Sequence, residues 1–261
     1  MLSTNYAPGT PIWTDLGTPD IDAAAAFYRA VFGWEFQSYG PDAGGYGVLT
    51  KDGKTAAALG PLMGEGAKTS WTVYFHTQDA DATAEAVTKS GGTVRAEPFD
   101  VFTQGRMAQF ADPAGAAFAV WQPGDTKGLD VVNDPGSLCW TELHTTDPGA
   151  AVSFYQPVFG WATQEVPMGD LTYTVIQPRG GGEDSSQGGI MPLSAGMGAT
   201  GTGPVWLPYF EVADCDAAVA TAAEHGGTVI APPMDVPQAG RMATLADPAG
   251  AAFCVIKSAA M

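Results

Sequence analysis

Basic residues are scarce in this chain of 261 residues. Lys and Arg number 11 against 28 Asp and Glu, for a formal charge of −17. Nucleic acids and anionic membrane surfaces are held by clustered Lys and Arg, and no basic patch occurs, so neither is an expected partner. Cysteine is nearly absent. Cys139, Cys215 and Cys254 have no CxxC spacing, which argues against a disulfide framework or zinc site and suits reduced thiols in the cytoplasm. No apolar run approaches the roughly 18 residues of a membrane span. The opening "MLSTNYAPGTPIW" lacks the basic and apolar regions of a signal peptide. A soluble, acidic, cytoplasmic protein is expected.

What the chain does have is repetition. "FYRAVFGW" at Phe27 recurs as "FYQPVFGW" at Phe154, 127 positions on. "GGTV" at Gly91 and "DPAGAAF" at Asp112 recur 135 positions on, at Gly226 and Asp247. The eight extra residues of the second copy fit the Gly-rich stretch from Pro178 to Pro204, expected to be a mobile loop. Trp13, Trp34 and Trp71 match Trp140, Trp161 and Trp206. Units of this length are domain-sized. Two homologous domains are expected at 9–123 and 136–259, joined by a Pro-, Gly- and Asp-containing linker at 124–135.

Each copy starts with a short apolar strand and an Asp that can cap a helix. Ile21, Ala24, Ala25, Tyr28, Val31 and Phe32 keep helical spacing between Asp20 and Gly33. Asp147 and Gly160 bound the matching helix, whose Pro157 is expected to distort the last turn. Three strands follow, and the rhythm then restarts within the copy. The fold class is α+β: each domain is strand–helix–three strands, performed twice.

The order strand, Asp, "FYxxVFGW" and a final strand opened by "DPxG" resembles the vicinal oxygen chelate superfamily, which includes glyoxalase I, bleomycin-resistance proteins and extradiol dioxygenases. The likeness spans nearly the whole chain, twice, and "GTPIWTDLGTPD", "GSLCWTELHTTD" and "GRMATLADPAGAAF" are similar to actinobacterial tandem glyoxalase-like proteins. It implies paired βαβββ modules forming a cupped mixed sheet that takes small molecules. In metal-using members, ligands stand on the first strand, on the strand before the second helix and on the last strand. Here those positions are Trp13, Thr72 and Ala119 in one copy and Trp140, Leu207 and Cys254 in the other. Ala, Trp and Leu bind no divalent metal, so neither a metal nor another cofactor is expected.

Strand alternation sets residues two apart on one face. A ligand-binding face is expected from Trp13, Asp15, Tyr74, His76 and Trp121 of the first copy, and from Trp140, Glu142, His144, Tyr209 and Glu211 of the second. Asp15 and Glu142, mid-strand among apolar neighbours, suit a wet pocket, because an unpartnered buried carboxylate is unfavourable. Arg106 and Arg241, in the repeated "GRM", either hold an anionic substrate or fasten a turn. Cys254 is expected to be an inert core residue. Trp34, Trp71, Trp161 and Trp206 are assigned to the core.

Two functions are carried forward. One is metal-independent binding of a hydrophobic or aromatic small molecule, for sequestration, self-resistance or natural-product metabolism. The other is a glyoxalase-like or isomerase/cyclase enzyme on a small carbonyl or polyketide substrate, with His76, Glu142, His144 and Glu211 as acid–base candidates. The partner is a small molecule in either case, and the chain is expected to be a monomer or homodimer.

Overall fold

The computed structural model describes residues 1–64, 66–169, 171–193 and 203–259. The first copy runs β1 (Pro11–Thr18), α1 (Ile21–Phe32), β2 (Glu35–Ser38), β3 (Gly47–Lys51), β4 (Lys54–Pro61), then β5 (Ser70–His76), α2 (Ala80–Lys89), β6 (Thr93–Val101), β7 (Gly105–Ala111) and β8 (Ala117–Pro123). The second repeats it: β9 (Leu138–Thr145), α3 (Pro148–Phe159), β10 (Ala162–Met168), β11 (Leu171–Gln177), β12 (Gly188–Pro192), then β13 (Val205–Glu211), α4 (Cys215–Glu224), β14 (Thr228–Val236), β15 (Gly240–Ala246) and β16 (Ala252–Ser258). Each copy makes one eight-stranded mixed sheet, ordered β2-β3-β4-β1-β5-β8-β7-β6 and β10-β11-β12-β9-β13-β16-β15-β14.

The helix boundaries follow from the caps. Asp20, Asp79, Asp147 and Asp214 stand in extended backbone, and each carboxylate accepts the N–H three residues on. Gly33 and Gly160 close α1 and α3 in the left-handed conformation. Pro157 does not end α3. The helix continues to Phe159, and the Gly160 N–H still reaches the Gln156 carbonyl at 2.7 Å. A second correction concerns the Gly-rich stretch. Between Pro178 and Pro204 lies β12, parallel to β9 in the middle of the sheet order; residues 194–202 lie outside the described residues.

The compact units are not the two repeats. Unit 1 takes residues 1–13, 72–128 and 140–207, and unit 2 takes 14–71, 129–139 and 208–261. Each therefore combines one module's elements from either copy, and the repeated motif explains why. In unit 2, Phe27, Tyr28, Phe32, Trp34 and Trp71 pack rings with Phe210 and Phe253. In unit 1, Phe154, Tyr155, Phe159, Trp161 and Trp206 pack with Phe75 and Phe118, the repeat-equivalents of Phe210 and Phe253. "FYxxVFGW" is thus the core that one copy presents to the other. A buried indole N–H needs an acceptor. Trp34 Nε1 donates to the Gly136 carbonyl and Trp161 Nε1 to the Gly9 carbonyl, both at 2.7 Å. Both glycines have positive φ, 85° and 79°, a backbone that side chains rarely adopt.

"DPAG" completes each core. Asp112 Oδ1 accepts the N–H groups of Ala114 and Ala116, while Oδ2 accepts the Tyr155 hydroxyl at 3.2 Å. Tyr155 in turn accepts from Trp206 Nε1 at 2.8 Å. Asp247, Tyr28 and Trp71 repeat this chain in unit 2. The turn is structural, with its carboxylate buried at the end of a donated chain.

Burial pushes the Asp112 and Asp247 carboxyls above their ordinary 3.8, although the donated hydrogen bonds pull the other way. A raised folded-state pKa contributes stability that is complete below the unfolded value and lost as pH rises through the folded one. The Tm advantage of the wild type over a D112N/D247N variant is therefore expected to be largest in acid and to shrink toward neutral pH. Melting curves across that range check it, and an advantage that grows with pH would refute it.

Arg106 and Arg241 fasten a hairpin to a helix start. Arg106 grips Asp81 with two nitrogens and Asp100 with a third, and Arg241 pairs with Asp216 and Asp235. Of the two sequence-level alternatives, the turn contact is the one seen. The linker is also packed. Leu129 and Val131 are buried, and Asp130 accepts the Thr55 N–H at 3.0 Å.

Candidate functional site

Alternation along the strands decides which side chains face away from the helices. Val73, Phe75, Phe118 and Val120 enter the helix-side core of unit 1. Tyr74, His76, Ala119 and Trp121 consequently lie on the other face. Register pairs Tyr74 with Ala119 and His76 with Trp121, and in unit 2 Tyr209 with Cys254 and Glu211 with Ile256.

The most developed polar group of unit 1 lies on β9. Trp140, Glu142 and His144 share one face, and Tyr173 joins them from β11. Trp140 Nε1 donates to the Tyr173 hydroxyl at 2.9 Å, and that hydroxyl donates to Glu142 Oε2 at 2.7 Å. Glu142 Oε1 meets His144 Nε2 at 2.7 Å. His144 and Glu142 are 3% and 6% exposed, so the pair is withdrawn from bulk water. The carboxylate expected in a wet pocket is instead buried and hydrogen-bonded on both oxygens.

Tyr173 was not among the sequence-level candidates. It stands two strands from Glu142, and its phenol crosses β12 at Gly189, the register partner of Glu142. A β-carbon at Gly189 would collide with the Tyr173 ring and hydroxyl. Glycine inside a strand signals such a close approach. The repeat offset offered another clue, because Tyr46 stands 127 positions before Tyr173.

The first copy uses the equivalent residues differently. Tyr46 donates to Asp15 Oδ2 at 3.1 Å within unit 2. Gly17 stands where the second copy has His144, and its register partner is Gly60, where the second copy has Met191. The Tyr46 ring lies over Gly60. The shorter carboxylate keeps its tyrosine, but the histidine's place is bare backbone.

The remaining candidates divide. Trp13, Tyr74 and Tyr209 are buried. Trp121 packs over Gly105 and donates from Nε1 to the Thr126 carbonyl at 3.0 Å. The His76 backbone pairs with Gly9 and Thr10, and its buried Nδ1 has no hydrogen-bond partner among the described residues. Glu211 accepts from the Ser258 backbone N–H and hydroxyl, with Lys257 Nζ at 3.7 Å, so both its oxygens fasten the end of β16. Cys254 is buried beside Thr244. Burial lifts the Cys139 thiol well above its usual range; desolvation also raises Cys215, to about 11, and both are poor thiolates.

With this geometry in hand, comparison with known proteins assigns the class. The family model described as "Glyoxalase/Bleomycin resistance protein/Dioxygenase superfamily" matches residues 11–120, and "Glyoxalase-like domain" matches 140–256. The chain belongs to the glyoxalase/bleomycin resistance protein/dioxygenase superfamily. It is 43% identical to "Anthracycline biosynthesis protein DnrV" of Streptomyces peucetius, over 97% of this chain and 95% of that one. It is 38% identical to "Putative glyoxylase CFP32" of Mycobacterium bovis, over 98% and 97%. Among solved structures it resembles the Mn(II)-bound glyoxalase from Novosphingobium aromaticivorans at TM-score 0.63 and 18% identity, covering 95% of this chain and 82% of that one. That last likeness concerns the fold alone.

The superfamily includes metal enzymes, and the residues here do not fit a metal at the inherited positions. Trp13 and Ala119 have no donor for a divalent cation, Thr72 alone makes no site, and Trp140, Leu207 and Cys254 leave one thiol. Among the described residues, no three His, Cys, Asp or Glu side chains gather as a potential metal-binding group. No helix among them is long and apolar enough to cross a membrane.

Proposed function

We propose that this protein binds a hydrophobic, planar aromatic small molecule without a metal, in an accessory, sequestering or self-resistance role in natural-product metabolism. The observation that carries this reading is the β9 face, where Trp140 and Tyr173 flank a buried, fully hydrogen-bonded Glu142 and a buried His144. Flat rings bind aromatic walls through large buried area and offset stacking, and a few fixed polar groups orient them. The name of the Streptomyces relative, matched over nearly its full length, supports the pathway context. The protein would act in the cytoplasm as a monomer or homodimer.

A second reading rests on the 2.7 Å Glu142–His144 pair. A histidine oriented by a carboxylate is suited to move protons at a carbonyl substrate, as an isomerase or cyclase would require.

Titrating the protein with planar aromatic metabolites and small aldehydes, followed by tryptophan fluorescence and mass analysis of recovered ligand, tests both. Saturable quenching with ligand returned unchanged is the expected result for a binder. A changed mass or an isomeric product would replace binding by catalysis, and no quenching by any compound would reject both.

A further inference from the structure

The hydrogen bonds around Glu142 have a fixed direction. Trp140 can only donate, so Tyr173, having accepted from it, spends its single hydrogen on Glu142 Oε2. As a carboxylate Glu142 only accepts, so Nε2 of His144 carries hydrogen toward Oε1. The nitrogen left to gain or lose a proton is Nδ1. His144 is 3% exposed and its Nε2 is engaged by Glu142, so Nδ1 is the ring nitrogen left for a ligand.

Resting on the ligand-binding reading above, we propose that the second copy holds a planar ligand through an ionisable hydroxyl, a phenol or enol, whose proton passes to His144 Nδ1. The ligand's O–H bond breaks and its oxygen keeps the electron pair. The N–H bond forms on the ring, and the resulting imidazolium is faced through Nε2 by Glu142. Tyr173 and Trp140 are positioning residues: they hold the carboxylate so that it cannot turn toward the ligand's oxygen. Gly189 belongs to the same device, since a side chain there would displace the phenol.

The first copy lacks this chemistry. Gly17 replaces the histidine, and the Tyr46 ring occupies the space over Gly60. One such site per chain is therefore expected, despite the duplication.

The probes are 2-hydroxyanthraquinone and its 2-methoxy ether, which share a flat ring system and differ in the ionisable proton. The hydroxy compound should bind once per chain, about tenfold or more tighter than the ether, with its visible band moved to that of the anion. H144Q should lose both the band shift and the preference, whereas H225Q, at an exposed helix end, keeps them. Calorimetry of the wild type in two buffers of different ionisation enthalpy should show no proton released to solvent, a result that does not depend on whether H144Q folds. Equal binding of both probes without a shift overturns the proposal and leaves the binding reading standing. A shift that persists in folded H144Q, or one proton released to buffer, also overturns it. Failure of both probes to quench tryptophan fluorescence removes the proposal together with the reading it rests on.

Discussion

Replacing Ala119 with glutamate, a side chain able to ligate a metal, should destabilise the protein by about 3 to 5 kcal/mol. Ala119 is fully buried, with Tyr74 on one neighbouring strand and Gln109 on the other. A longer side chain must displace packed atoms, and a carboxylate there loses its water without gaining a cation. Ala119→Met separates the two contributions, because overpacking alone amounts to about 1 to 3 kcal/mol. Denaturant melts of the three proteins give the comparison. Adding Mn2+ or Zn2+ should leave the glutamate variant no more stable, because Trp13 and Thr72 bring no further ligand of the needed kind. If either metal restored the glutamate variant and left the wild type unchanged, the donor set would have been misjudged.

Removing two hydroxyl groups should have a comparable effect. Tyr28→Phe and Tyr155→Phe each leave an indole N–H and a carboxylate oxygen without their bridge inside a packed core. Each loss is expected to destabilise by about 1 to 3 kcal/mol. Because the two chains of hydrogen bonds lie in different units, the double variant should show nearly the sum. Tyr39→Phe, at an exposed position, is the control and should stay within about 0.5 kcal/mol. Wild-type stability in the double variant would mean that the bridges contribute nothing beyond ring packing.

Much of the architecture was legible because local chemistry and the repeat agreed. Four Asp caps, two closing glycines and the alternating strands each carry their own signal over a few residues. The pairing of cores between copies was not legible, since a motif such as "FYxxVFGW" announces burial without naming what it is buried against. The site was legible by halves. Glu142 and His144 share a strand, so alternation alone puts them together. Tyr173 reaches Glu142 across an intervening strand, and only the register of β9 with β12 shows that Gly189 lies in its path. Glu211 illustrates the opposite failure. It matches His76 in the repeat, yet the Ser258 hydroxyl and N–H, remote in sequence, engage both its oxygens. β12 was hidden by composition, because Gly188 and Gly189, which resemble loop residues, are glycine where neighbouring atoms leave no room for a side chain.

The exchange of aromatic cores between copies has a consequence during synthesis. When the first copy has left the ribosome, Phe27, Tyr28 and Trp34 have no Phe210 or Phe253 to meet, and the Asp112 turn has no Tyr155. Unit 1 can close only once Trp206 has been made, and unit 2 only once Phe253 has. Until then the nascent protein must keep two sets of bare aromatic rings from sticking elsewhere, and a ribosome stalled at the linker would hold a fragment with both cores half built.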